Sequence, residues 1–585
     1  MGKKSKKKKQ DQHSIERIGG SWKWAVLMTI AWVVWVAIWY YVCLPAVNIH
    51  SYGMWGFIIF LMLLPAGALR LLYVSGVQKI SVISQTSMGD KPTGFLFGIA
   101  LVLFVLVFGA SIYGSTMFHA GRYSEILNVE DYDFIKDIDS NTATEKIALM
   151  DTDSAILLGN REIGSLSQLV SQYDVSEDYS QIDYGGYPSK VSALKYAGFF
   201  KYLGNKDHGV PGYVQVDPVK QSAQYVALEQ GMKYVPSSYF QKDLRRHLRF
   251  QYPTLIFENI HFEIDESGKP YYVAAVSDFK IGLFGGDTVK AAVVCDPVTG
   301  ESTCYTLDEI PKWVDNVFDG DLLVSQYNWK GLLSNGFFNS IFGKKGCRHC
   351  TETVNASDAD DEDDSYVPDY GYVAKDGDIW IYTGVTSVNE DSSNIGFILV
   401  NERTSEAHYY TVAGADENSA MSAAEGEVQE KGYQASFPSL INVVGQPTYV
   451  MVLKDASGIV KLYATVNVES YNIVTTSDSL EDCLAKYKKR IGADASEEDT
   501  DEKPAEQPQG DSVENTFVIA SIQYVTIDGS TYVYLEGKDG NIYRQKFADN
   551  EDLIYLRKGN EIKVTCVQEK DKHYLIQGNV TILTK

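Results

Sequence analysis

The sequence predicts a membrane-anchored α+β protein: three transmembrane helices, a duplicated α+β ectodomain built as strand hairpin–helix–strand hairpin, and a C-terminal small β-barrel. Three observations carry this prediction. Long apolar runs crowd the N-terminal part, a β-rich pattern recurs at near-constant spacing in the middle, and short strand-like runs with Asp-Gly turns close the chain. The boundaries that follow are a polybasic tail at 1–21, an anchor at 22–118 and a first α+β region at 119–343. An acidic insert at 344–365, a second α+β region at 366–491, an acidic linker at 492–512 and a barrel at 513–585 complete the chain.

The anchor comes first. Three apolar runs lie within Trp22–Val47, Met54–Val77 and Gly94–Phe118, each as long as the ~20 residues a helix needs to cross the hydrocarbon core. Trp22, Trp24, Trp39, Tyr40, Tyr41 and Tyr113 gather toward the run ends, where amphipathic rings favour the interface. Residues 1–23 hold eight Lys or Arg against two acidic residues. Lys79 and Lys91 fall in the second loop, and the Asn48–Gly53 turn has no Lys or Arg. The positive-inside rule then puts the N-terminus in the cytoplasm of a multi-pass plasma-membrane protein, with everything after Phe118 outside. The lysine tail also suits anionic lipid of the inner leaflet.

Composition bounds the rest. The chain has 585 residues, too many for one core, and 39 tyrosines among 12% aromatics suit β-rich globular domains. The whole chain carries −24, and residues 93–585 alone carry −32. Phosphate backbones would be repelled, so nucleic acid is excluded as a general partner. The insert ends in DADDEDDS and the linker reads GADASEEDTDEKPAEQPQGDS. Both are too polar to bury a core and read as spacers.

Between the spacers the chain echoes itself. Gly212–Leu228 (GYVQVDPVKQSAQYVAL) aligns with Gly396–Val412 (GFILVNERTSEAHYYTV) at an offset of 184. YPTLI at 252–256 meets FPSLI at 437–441, and EIDESGKPYYVAAV meets VLKDASGIVKLYATV at an offset of 190. A partial third copy, VVCDPVTGESTCY, spans Val293–Tyr305. The spacing predicts one helix over Ser238–Phe250, with Phe240, Leu244 and Leu248 as its buried stripe. The DPVTGES turn at Asp296–Ser302 and the DESGKPYYV strand pair at Asp265–Val273 resemble the PepSY type of small extracytoplasmic module. That resemblance covers about a tenth of the chain and implies a regulatory or inhibitory add-on. The last 70 residues resemble a small closed barrel of OB or SH3 type, with Asp-Gly turns at Asp528 and Asp539.

Candidate chemistry is sparse. Lys242, Arg245, Arg246 and Arg249 share the face opposite the apolar stripe of the predicted helix. Either they dock an anionic ligand, such as wall polymer, lipid head group or acidic partner segment, or they form a solvated face paired with the protein's own carboxylates. Cys347 and Cys350 (CRHC) suit a local disulfide or idle thiols. A metal or redox site lacks further ligands and a helix N-terminus. Cys295 and Cys304 flank one hairpin turn and suit a bridge in an oxidising compartment. No HExxH, G-x-S-x-G or P-loop motif occurs, so no catalytic residue, metal or cofactor is assigned. Asn355 and Asn579 lie in N-x-[ST] sites. The resulting expectation is a non-enzymatic surface protein that binds a protein or anionic envelope partner as scaffold, sensor or assembly factor. The alternatives are an envelope enzyme with a site assembled from distant residues, or an accessory subunit of a membrane complex.

Overall fold

The computed structural model describes residues 22–74, 90–138, 147, 149–353, 367–368, 370–388, 393–492, 513–527, 530–547, 550–570 and 572–584. The lysine tail, Lys79, the acidic run with Asn355, linker residues 493–512 and Asp528 lie outside the described residues. The chain divides into two compact units, Met1–Asp494 and Ala495–Lys585.

The first unit begins with helices α1 (Trp22–Cys43), α2 (Tyr52–Val74), α3 (Asp90–Tyr113) and α4 (Thr116–Tyr123). The expectation of three transmembrane helices is corrected here. Among the described residues, Phe95–Tyr113 alone is a helix long and apolar enough to cross a membrane. Within α1 and α2 the corresponding apolar stretches among the described residues, Trp32–Cys43 and Tyr52–Leu63, are shorter. Leu44 turns left-handed (φ 50°) just before Pro45, so α1 stops short of the end of its apolar run.

The body is also not the expected α+β duplication with one helix laid on each sheet. It is strand-rich, built from several sheets, and its helices are few. A first antiparallel sheet runs Tyr173–Val175, Tyr187–Tyr196, Val210–Asp217, Ser222–Met232, with Ser180–Tyr184 also on Tyr187–Tyr196. A second runs Ser302–Thr306, Gly285–Cys295, Pro270–Ile281, Phe257–Ile264. A seven-stranded third sheet centres on Asp378–Ser387 and Ser393–Asn401, and a five-stranded fourth on Gln446–Lys454 and Val460–Asn467.

Strand periodicity shows how they stack. In Pro270–Ile281, Tyr272, Ala274 and Val276 join the core against the first sheet. Val273 and Ala275 join the core against the third. In Ser393–Asn401, Ile398 and Val400 face the second sheet, whereas Phe397 and Leu399 face the fourth. Successive side chains point to opposite faces, and here both faces are buried. That is why runs such as YYVAAV and GFILV are apolar throughout instead of alternating with polar residues. Sheets therefore bury mainly one another, and helices fill the gaps that remain.

Five helices matter below: α5 (Thr152–Ser165), α6 (Leu244–Gln251), α7 (Gly320–Leu333), α8 (Glu417–Glu427) and α9 (Leu480–Arg490). In the second unit five strands close a barrel in the order Val513–Ile527, Ser530–Gly537, Ile542–Lys546, His573–Thr584, Glu561–Lys570. The third and fourth of these pair in parallel. Phe517, Ile519, Val533, Leu535, Tyr543, Ile562 and Val564 fill the barrel.

Candidate functional site

The basic helix sits where the apolar helices meet the body. Asp243 caps α6 by accepting from the Arg246 N–H at 2.8 Å, so the helix starts at Leu244 and not at Ser238. Leu244 and Leu248 are fully buried, whereas Phe240 lies outside the predicted stripe, exposed and left-handed at φ 57°. Lys242 falls in the 3₁₀ turn before α6 and donates to the Tyr234 hydroxyl at 2.7 Å, its ammonium 3.8 Å over that ring. Burial raises the Asp243 carboxyl above its ordinary value, against the pull of the Arg246 N–H and the guanidinium groups of Arg246 and Arg245.

Two of the four cations hold the end of α1. Arg246 donates from Nε to the Tyr41 carbonyl at 3.3 Å and from Nη1 to the Phe240 carbonyl at 2.6 Å, with its guanidinium 4.2 Å over the Tyr41 ring. Arg249, buried, donates from Nε to the Leu44 carbonyl at 3.0 Å and from Nη1 to the Leu255 carbonyl. These groups lie at the negative end of the helix dipole. Arg245 is exposed. The sequence did carry one signal for this arrangement: the last turn of α1 contains no basic residue of its own.

The neighbouring contacts make the junction stiff. Val47 N donates to the Pro253 carbonyl at 2.7 Å, and Asn48 Nδ2 to the Thr254 carbonyl at 2.9 Å. Tyr52 stacks on Phe284 at 3.9 Å, and Tyr123 donates to the Gly114 carbonyl at 2.6 Å. A Cβ on Gly285 would stand 2.4 Å from the Gly114 carbonyl oxygen, so glycine lets the tip of the second sheet approach the backbone just after α3. The body is seated directly on the helix ends.

A polar groove of about 970 Å³ opens elsewhere on the body. The first sheet supplies Tyr184, Tyr187, Gln215 and Gln224, the fourth sheet Tyr463, and the start of α9 Ser479 and Glu481. Gln221 Nε2 donates to the Tyr463 hydroxyl at 3.0 Å and joins the two walls. Asp217, Asp478 and Glu481 stand against one lining cation, Lys220, which pairs with Asp217 at 3.0 Å. The lining favours hydrogen bonding and ring stacking with a neutral or cationic ligand.

A smaller cavity of about 240 Å³ gathers Glu258, His261, Asp287, Asp319 and Asp321 at the start of α7. Asn259 Nδ2 donates to Asp319 at 2.7 Å, and His261 Nε2 stands 3.8 Å from the same oxygen. Burial and the Glu258 charge push the Asp287 carboxyl up to about 6. Burial lowers His261, against the attraction of Asp319.

The described thiols are not joined in disulfides. Cys295 is buried and Cys304 exposed, and Cys304 stands opposite Val293 in the ladder. Burial pushes the Cys295 thiol up to about 12. Cys347 and Cys350 are both buried and not joined in a disulfide, with Cys347 accepting from Asn339 Nδ2 at 3.3 Å. No cluster of three or more His, Cys, Asp or Glu suited to a metal occurs among the described residues.

No protein-family model and no curated protein matches the chain. Among solved structures, an ancestral GH74 enzyme aligns at 10% identity over 64% of this chain and 42% of that one, with a TM-score of 0.14. A levansucrase mutant of B. megaterium aligns at 9% identity over 77% of this chain and 98% of that one, with a TM-score of 0.16. The chain thus spans 42% of the length of the first of these enzymes. Likenesses at this level say nothing of fold or chemistry.

Proposed function

We propose that the protein is a membrane-anchored, non-enzymatic binding protein, held by Phe95–Tyr113, whose body grips a protein partner outside the cytoplasm. The observation that carries the anchor is α3 itself. Phe95, Leu101, Phe104, Leu106 and Phe108 are large, apolar and exposed, and only 6% of the most apolar window of that helix is buried. Such surface is unfavourable in water and favourable in lipid. Lys79 and Lys91 precede the span Phe95–Tyr113 and the strongly acidic body follows it, which supports a body on the outer side.

The polar groove supports the binding role. Its acidic excess argues for a protein segment with basic or neutral side chains over an anionic polymer. Arg246 and Arg249, two of the candidates for an anionic ligand, donate instead to carbonyls at the end of α1. Two experiments test the proposal. Alkaline carbonate should leave the protein in the membrane, and protease added to intact cells should cut beyond Phe118; release by carbonate or full protection would defeat the anchor. Native pull-down should recover a partner that Tyr187→Ala with Glu481→Lys loses; an unchanged yield would defeat the groove.

A second reading, an envelope hydrolase, draws on the small acidic cavity, where a carboxyl raised to about 6 adjoins other carboxylates and an imidazole. Asp287→Asn would abolish such an activity on envelope substrates, and an activity unaffected by it would exclude this cavity.

A further inference from the structure

Exposed phenylalanines ring the place where the apolar helices leave the body. On the α1 side, Phe250 packs 6.2 Å from Tyr40 and Tyr41 in the last turn of α1. Phe240 is joined through its carbonyl to Arg246, which lies over Tyr41. Phe199 links this group to Phe200 and Phe240 at 5.7 and 6.3 Å between ring centres. On the α3 side, Phe118 projects from α4. Trp329 of α7 meets Tyr123 of α4 at 4.9 Å, and Phe337 packs against the same small core. The chain then continues into the one-turn π-helix Asn339–Gly343, which displays Phe338 and Phe342.

These rings are unusually bare. Phe200 is 83% exposed and Phe342 80%. Phe240 adopts a left-handed backbone that side chains other than glycine seldom take, and the bond from Arg246 holds it there. Exposed cations accompany them in an otherwise acidic chain: Arg245 beside the first group, Lys344 and Lys345 beside the second. Rings that reach the acyl boundary, with basic groups level with phosphates, form the pattern of an interfacial membrane contact.

From this placement we infer that the base of the body is a second lipid-binding surface. Phe118, Phe200, Phe240, Phe250, Phe338 and Phe342 enter the outer interfacial zone, and Arg245, Lys344 and Lys345 face lipid phosphates. The occupant is lipid because one group of rings lies against the end of α1 and the other against α4, which follows the proposed span Phe95–Tyr113 directly. The inference rests on the proposed anchoring by Phe95–Tyr113. It makes the body a fixed platform whose orientation is set by lipid as well as by the junction.

The test uses the full-length protein in phosphatidylcholine–phosphatidylglycerol vesicles with a diazirine placed high on the acyl chain, followed by mass-spectrometric mapping of adducts. Adducts on the peptides carrying Phe200 and Phe342 should exceed those on the groove peptide carrying Tyr187 by about fivefold or more. Phe200→Ser with Phe342→Ser should remove the adducts flanking both tips while labelling of Phe95–Tyr113 persists. Adducts confined to Phe95–Tyr113 would overturn the second surface and leave the anchor standing. Absence of adducts from Phe95–Tyr113 would overturn the anchor, and this inference with it.

Discussion

Two segments of the body begin alike and end differently. In 212–251 a strand turns at Asp217, whose Oδ1 accepts from the N–H groups of Val219 and Lys220 at 3.0 and 2.9 Å. In 396–427 the turn at Asn401 accepts from Arg403 and Thr404 at 2.8 and 3.0 Å. The fifth residue of each turn is left-handed, Gln221 at φ 51° and Ser405 at 57°. The helices that follow then diverge. α6 (LRRHLRFQ) sends arginines to the end of α1, whereas α8 (ENSAMSAAEGE) buries Ala420 and Ala424 between sheets. One turn chemistry thus serves either a junction or a core, and helix composition decides which.

The sharpest way to break this comparison is in the two helix seats. Leu248→Ala should destabilise the body by about 2–5 kcal/mol, because a fully buried contact leaves a cavity. Ala424→Leu should lose about 1–3 kcal/mol by overpacking. Urea unfolding in detergent measures both, and equal, negligible changes would show that the helices are not differently seated.

A pH series separates the segments next. Glu417 is buried, accepts from Gly384 N at 2.7 Å, and burial raises its carboxyl from an ordinary 4.5 to about 7. Between those values the folded state holds a proton that the unfolded state has released, so stability falls as pH rises from about 4.5 to 7. The drop should be at most about 3 kcal/mol, and Glu417→Gln should flatten that slope. Unchanged slopes would remove Glu417 as the cause.

Arg249→Lys should cost about 1–3 kcal/mol at the junction, since an ammonium cannot reproduce the guanidinium fork. Hydrogen exchange should accelerate at Val47 and Asn48 while the α8 amides stay protected. The smallest effects lie in the turns. Ser405→Gly should stabilise by about 0.5–1 kcal/mol by relieving the left-handed residue. The third turn, at Asp296, already has glycine there, and Gly300→Ala should do the reverse because its Cβ would stand 2.5 Å from the Tyr234 ring.

The turns were legible because an Asp or Asn side chain bonds its own backbone two and three residues on, a contact contained within the sequence window. The DESG turn shows the same thing: Asp265 and Asp455 each accept from the second and fourth residues after them. Phe240 misled because a period of four continued past the Asp243 cap, where the helix had not yet begun. The acceptors of Arg246 and Arg249, the carbonyls of Tyr41 and Leu44, were not legible because they lie 205 positions away. The groove and the acidic cavity left no motif at all, since each draws on separate elements.

By itself the sequence determined the apolar stretches, the turn chemistry and the acidic excess, all properties of neighbouring residues. Tertiary structure decided that, among the described residues, Phe95–Tyr113 is the helix long and apolar enough to span, that sheets stack on sheets, and that the cations brace a helix end. The physical reason is range. Hydrogen bonds within a turn and the period of a strand are set over a few residues, whereas the partner of a buried face or charge is chosen by packing among distant segments.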